Sequence, residues 1–205
     1  MNVRFCVDLV SCDEQGINQI VKSYKKGKII GFPTDTVYGI GCDPFNKSSI
    51  SKIFDLKKRN DEKRFPILGF SKEDLKKIVE FNSEAEKISE KFWPGQVSIL
   101  LPIRKELNEQ IENNGKLAVR VPNNECLLSI LKQCKLIVGT SANISGEESI
   151  TDSHDYIMKL PEIDVLVDGG KINSAGESTI VDFVDGELKI VREGSIPKKE
   201  IEKVL

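Results

Sequence analysis

Apolar and polar positions switch between a helical and a strand period along nearly the whole chain, a pattern that predicts an α/β protein. Ser11 and Glu14 read as a capping box ahead of Ile17, Ile20, Val21 and Tyr24, an amphipathic stripe that predicts a helix ending at Gly27. A strand follows over residues 28–32. Asn46 opens a second helix carrying Ile50, Ile53 and Phe54 and running into Lys57. Residues 66–70 read as a strand; Ser71 with Asp74, and Ser83 with Glu86, cap two further helices. Strands over 97–103 and 117–121 precede a helix through Leu127, Leu128 and Leu131, and the short apolar runs 136–138 and 165–167 predict buried strands. The tail reads as a hairpin, 179–184 and 188–192, around an Asp185-Gly186 turn. No repeat or linker-like stretch interrupts the pattern, so it predicts one domain over residues 1–205.

Composition narrows the class. Of 205 residues, 39% are hydrophobic and 30% charged, enough apolar material for a core and too little for a disordered or fibrous chain. No apolar run approaches the ~18–20 residues that span a bilayer, and the N-terminus lacks a basic stretch followed by an apolar one, so a cytoplasmic protein is expected. Cys6, Cys12, Cys42, Cys126 and Cys134 form an odd count without a CxxC pair and read as free thiols behaving as small hydrophobes. One histidine, His154, excludes any mechanism that needs two imidazoles; at the start of a short polar helix it reads as a surface residue. The formal net charge is −2, yet residues 52–64 hold six basic side chains against three acidic ones. That local excess suits a small anionic ligand or a brief nucleic-acid contact rather than a DNA-coating protein.

The polar loops 33–41, 57–66, 140–151 and 169–178 interrupt the apolar pattern, and loops of this kind between buried strands carry sites. Thr34, Asp35, Thr36 and Tyr38 fall together after a strand and read first as turn caps, with ligand groups as the alternative. Lys57, Lys58 and Arg59 at a helix end either complement its dipole or clamp a phosphate. Thr140-Ser-Ala-Asn-Ile-Ser-Gly146 follows a buried strand and offers hydroxyls, an amide and backbone N–H groups to an anion. Parity places Arg120 with Ala118, opposite Leu117, Val119 and Val121; Arg192 instead shares a face with Leu188 and Ile190. An arginine at such a place is either an edge residue or aimed into a cleft. Trp93-Pro94-Gly95 reads as a packing anchor and turn. With no Ser-His-Asp set and no metal cluster, the remaining chemistry is cationic and hydroxyl-rich, suited to positioning a phosphate ester.

Seven of these pieces resemble, in order, the motifs of the YrdC family of threonylcarbamoyl-adenylate synthases: Phe32-Pro-Thr-Asp-Thr-Val-Tyr-Gly39, Lys57-Lys-Arg59, Trp93-Pro-Gly95, Ala118-Val-Arg-Val-Pro122, Ser141-Ala-Asn-Ile-Ser-Gly146, Asp168-Gly-Gly170, and Glu177-Ser-Thr-Ile-Val-Asp182 with Arg192-Glu-Gly194. The resemblance implies a twisted mixed α/β sheet with flanking helices and a concave, positively charged site, in the short single-domain form. It implies an ATP-dependent nucleotidyltransferase that joins L-threonine, bicarbonate and ATP into threonylcarbamoyl-AMP and pyrophosphate. Magnesium would arrive with ATP, and a separate transferase would carry the product to tRNA. By the same resemblance Lys57, Arg59, Asn143, Thr151 and Arg192 face the nucleotide, while Thr34, Arg120, Ser141 and Ser178 line the threonine or threonylcarbamoyl pocket. Asn60 stands where the family commonly has proline, and Gln96, Val97 and Ser98 replace its usual Pro-Leu-Thr. Two other functions compete. A non-catalytic module could hold double-stranded RNA or tRNA, though the basic stretch lacks interleaved aromatics for stacking. A hydrogenase-maturation carbamoyltransferase would carry a similar domain within a much longer chain.

Overall fold

The computed structural model describes residues 7–58, 64–104, 111–112, 114–159, 162–174, 176–184 and 186–205. The first half runs β1 (Asp8–Ser11), α1 (Glu14–Lys25), β2 (Ile30–Phe32), β3 (Gly39–Cys42), α2 (Lys47–Lys57), β4 (Ile67–Gly69), α3 (Lys72–Leu75), α4 (Ser83–Phe92) and β5 (Val97–Pro102). The second runs β6 (Lys116–Arg120), α5 (Glu125–Cys134), β7 (Leu136–Ser141), α6 (Ser153–Lys159), β8 (Val165–Asp168), β9 (Thr179–Val184), β10 (Glu187–Arg192) and α7 (Lys198–Glu202). The strands form one mixed sheet in the order β1-β8-β2-β3-β7-β4-β6-β5-β9-β10. Among the described residues no helix is long and apolar enough to cross a membrane.

Each face of the sheet buries a separate apolar cluster. On one, Ile17, Ile20, Val21 and Tyr24 of α1 and Leu127, Ile130 and Leu131 of α5 pack on Val10, Ile30, Phe32, Ile137, Val165 and Val167. On the other, Ile50, Ile53 and Phe54 of α2, Leu75, Ile88 and Tyr156 cover Ile40, Ile67, Ile99, Val119, Val138 and Val181. Removal of apolar side chains like these from water, about 1.5–3 kcal/mol for each one fully buried, is the main force holding the helices to the sheet.

Local signals moved where the sheet claimed a residue first. Ser11 does not cap α1: it ends β1 opposite Asp168, so the cap passes to Asp13, whose Oδ1 accepts from Gly16 N at 2.8 Å. Likewise Asn82, rather than Ser83, caps α4 through Ala85 N at 2.8 Å. Asn46 and Ser71 cap α2 and α3 as expected. The helix expected through Leu75, Ile78 and Val79 stops at Leu75, and Val79 bridges Ile103 instead. Residues 39–41, expected in a loop, belong to β3, where Gly39 and Gly41 leave no alternation to read.

The cysteine reading is corrected. Cys12 and Cys126 form a disulfide across 114 residues, with Cα atoms 5.8 Å apart. Sequence spacing carries no sign of it; the sheet brings the end of β1 to the start of α5. Cys42 and Cys134 are free, Cys42 buried, and Cys6 lies outside the described residues.

Candidate functional site

The helices α1 and α5 cover only one end of their face. The rest of that face is open, and its floor is fixed by register: Gly41 opposes Gly139, Gly39 opposes Ser141, Leu68 opposes Arg120, Leu100 opposes Ala118 and Ser98 opposes Ile180. A Cβ on Gly39 would meet Phe32 Cε2 at 2.6 Å, and one on Gly139 would meet Leu68 Cδ1 at 2.6 Å, so both glycines admit the side chains that line the floor. Above it lies a cavity of about 610 Å³ lined by Lys57, Arg64, Arg120 and Arg192 together with Glu147 and Glu177.

One wall is a rigid turn. The Thr34 hydroxyl donates to Val37 O at 2.6 Å and accepts from the N–H groups of Thr36 and Val37 at 3.0 and 3.1 Å. Its proton being engaged, the 2.8 Å contact with Thr36 Oγ1 has Thr36 as donor. The turn presents Asp35 to Arg120 in an ion pair whose side chains are only 10% and 5% exposed. Arg120 also donates from Nε to Gly95 O at 2.7 Å and from Nη1 to Thr36 Oγ1 at 3.4 Å, and Gln96 Nε2 donates to Asp35 O at 2.7 Å. Burial lowers the pKa of Arg120, Asp35 opposes that, and the like charge of Arg192 adds to the lowering. Asp35 Oδ2 is buried without a hydrogen-bond partner. The fold thus resolves the parity reading of Arg120 in favour of the cleft.

The second wall is the segment after β7. Lys57, at the last turn of α2, is 1% exposed, and its ammonium donates to Ser141 O, Asn143 O at 2.7 Å and Asn143 Oδ1 at 3.3 Å. Ser141 Oγ donates to Asn143 Oδ1 at 2.6 Å, and Asn143 Nδ2 donates to Glu147 O at 2.6 Å. Lys57 therefore clasps the very loop that offers its polar groups to the cavity. Tyr38 pins the neighbouring Asp168-Gly169-Gly170 turn: its hydroxyl donates to Gly170 O at 2.8 Å and accepts from Gly169 N at 2.9 Å.

The third wall is the β9–β10 hairpin, where the sequence reading of Arg192 changes. Ile190 pairs with Val181, but Arg192 pairs with Ile180 because a bulge intervenes. The extra residue moves Arg192 off the face of Leu188 and Ile190 and onto that of Ile180, which lines the cavity. Its Nε and Nη2 donate to Ser178 O at 3.1 and 2.8 Å, Nη2 also reaches Ser178 Oγ at 3.1 Å, and Nη1 pairs with Glu177 Oε2. Ser178 Oγ lies 3.1 Å from Ser98 Oγ. The other oxygen of Glu177 accepts from Ser149 Oγ at 3.0 Å. Burial raises the Glu177 pKa, but Arg192, hydroxyls of Ser149 and Ser141, and Lys57 outweigh it and hold the carboxyl below its ordinary value.

Of the residues singled out from the sequence, Thr34, Lys57, Arg120, Ser141, Asn143, Ser178 and Arg192 line one cavity. Thr151 does not line it; its carbonyl accepts from Ile172 N at 2.8 Å. Arg59 lies outside the described residues. Glu177 has no role in the sequence reading and Asp35 only that of a turn or ligand group; their pairing with the two arginines defines both. His154 is exposed, as expected. Among the described residues no group of three His, Cys, Asp or Glu side chains could hold a metal ion.

A family model, Sua5/YciO/YrdC, described as "Telomere recombination", matches residues 22–194. The chain is 34% identical over 189 residues to a Pyrococcus abyssi protein named threonylcarbamoyl-AMP synthase, covering 88% of this chain and 54% of that one. It is 30% identical over 173 residues to the Aliivibrio fischeri protein of the same name, covering 80% and 92%. The crystal structure of P. abyssi Sua5 complexed with L-threonine superimposes with a TM-score of 0.91 at 31% identity, covering 98% of this chain and 61% of that one. The chain thus spans about half the length of the first of these relatives and nearly all of the second.

Proposed function

The chain belongs to the Sua5/YciO/YrdC family, and from that premise we propose that it is an L-threonylcarbamoyladenylate synthase, an ATP-dependent nucleotidyltransferase. The observation that carries the reading is the pair of arginines in one cleft, Arg120 at the end of β6 paired with the rigid turn and Arg192 on the hairpin, together with the Lys57-clasped loop that lines the same cavity. A reaction that brings two anions together needs such cations, because like charges a few ångströms apart repel strongly in a partly desolvated cleft.

In this reading Arg120 takes the threonine carboxylate. Three of its five N–H groups are engaged by Gly95, Thr36 and Asp35, which leaves two for a bidentate ligand. Ser178 and Ser141 add hydroxyls to the threonylcarbamoyl side, while Thr34 shapes the turn. Arg192, Asn143 and Lys57 face the nucleotide, Lys57 by holding the loop that carries Asn143; Arg59 is assigned to the same phosphates by its motif alone. The threonine amine and bicarbonate combine to N-carboxy-threonine with loss of water. Its new carboxylate oxygen attacks the α-phosphorus in line, forming an O–P bond as the bond to pyrophosphate breaks. Magnesium enters with ATP as part of the substrate and offsets charge on the leaving pyrophosphate. The side chains position the two anions and no covalent enzyme intermediate is required. The product would pass to a transferase acting on tRNA. The test is pyrophosphate release from ATP with L-threonine and bicarbonate, each omitted in turn. Release is expected only with all three, and release without threonine would sink the reading.

A further inference from the structure

We infer that Glu177 is a built-in competing anion, whose carboxylate occupies Arg192 and must leave the guanidinium before a nucleotide phosphate binds there through two N–H groups. The inference rests on the reading above that Arg192 faces the nucleotide.

Counting donors makes the case. Of the five N–H groups of Arg192, one from Nε and two from Nη2 go to Ser178, and one from Nη1 goes to Glu177. A single N–H remains. The Ser178 bonds leave only the two N–H groups of Nη1 for a nucleotide; these diverge from one nitrogen, so a polyphosphate engages both through separate oxygens, and only when Glu177 lets go. Arginine orientation does not depend on that carboxylate, since the three bonds to Ser178 already fix the plane of the guanidinium. Exchange is physically easy. The side chains of Arg192 and Glu177 are 40% and 31% exposed, and ion pairs that open to water are weakly held. A second anchor keeps the carboxylate in place after it lets go, because Glu177 Oε1 accepts from Ser149 Oγ at 3.0 Å. Glu177 thus sets how tightly the cleft holds ATP.

MgATP binding to the full chain, without threonine or bicarbonate, is to be measured by calorimetry for the wild type, Glu177→Gln and Arg192→Ala, with steady-state kinetics in parallel. Glu177→Gln removes the charge and keeps an acceptor for Ser149. It is expected to tighten ATP binding about two- to fivefold, the range an exposed ion pair can contribute, with KM for ATP falling alike. Glu177→Ser, a second variant without the charge, is expected to move affinity in the same direction. Equal or weaker ATP binding in both Glu177 variants, with Arg192→Ala weakened, overturns the inference and leaves the role of Arg192 standing. Wild-type ATP affinity in Arg192→Ala removes Arg192 from the nucleotide, and the premise falls together with the inference.

Discussion

Two arginines in one cleft each carry a carboxylate partner, and the two pairs are built for opposite purposes. Arg120 and Asp35 are nearly sealed from water, at 5% and 10% exposure, and are tied by Gly95, Thr36 and Gln96. Arg192 and Glu177 sit at 40% and 31% exposure on a bulged edge hairpin. A buried pair is expensive to break, because the charge left behind has neither partner nor water; an exposed pair exchanges partners at little cost. The cleft therefore has a fixed end and an exchangeable end. The fixed end suits a small substrate that must be recognised by shape, and the exchangeable end suits a polyphosphate.

The largest expected effect separates the two ends. Asp35→Ala leaves the Arg120 guanidinium buried and unpaired, and a loss of about 3–5 kcal/mol is expected in denaturant unfolding. The threonine requirement rises at the same time, as Arg120 loses its orientation. Glu177→Ala is expected to cost no more than about 1 kcal/mol. Comparable losses in the two variants would erase the distinction between fixed and exchangeable ends.

The next effect tests what braces the fixed end. The Cys12–Cys126 link lines a surface pocket with Pro33 and Gly169, next to the turn that carries Asp35. It closes a separation of 114 residues, and a native link typically contributes about 2–4 kcal/mol. Cys126→Ser, or the wild type in reductant, is expected to lose stability in that range. Its threonine dependence should shift more than its ATP dependence, because the pocket it lines includes Pro33, beside the turn that carries Asp35. An equal shift in both would mean that the link stabilises the whole sheet without favouring either end.

The fold was legible wherever one residue type decides a local outcome. Asn46 and Ser71 cap helices because a short acceptor side chain reaches a free N–H whatever the surroundings. Parity put Arg120 opposite the core face of β6, and the register confirms it against Leu68. Three features were illegible because they arise from the assembled sheet. The bulge before Arg192 inserts one residue against Ile180, and no residue type announces it. Asp13 and Asn82 became caps only because neighbouring serines were displaced by the final strand and helix limits. The disulfide joins segments 114 residues apart, which spacing arithmetic cannot anticipate. In the cleft the motifs named the arginines and hydroxyls but not their internal partners: Asp35 and Glu177 acquire meaning from what they touch.

The smallest expected effect is a difference in pH behaviour. The folded pKa of Glu177 lies below its ordinary 4.5, since Arg192, hydroxyl donors and Lys57 outweigh burial. For a carboxylate depressed by folding, the stabilisation is present above the unfolded value and is lost as pH falls through the folded one. Wild type is therefore expected to melt slightly above Glu177→Gln at neutral pH, to keep that margin down to about pH 4.5, and to lose it below. The comparison cancels the contribution of every group that the two proteins share and isolates Glu177. Paired melting curves between pH 3 and 7 provide the check. A margin that persists unchanged to the acid end would mean that the carboxylate charge contributes nothing to holding Arg192. The exchangeable end would then be held by the three Ser178 bonds alone, and the charge of Glu177 would act solely against an incoming phosphate.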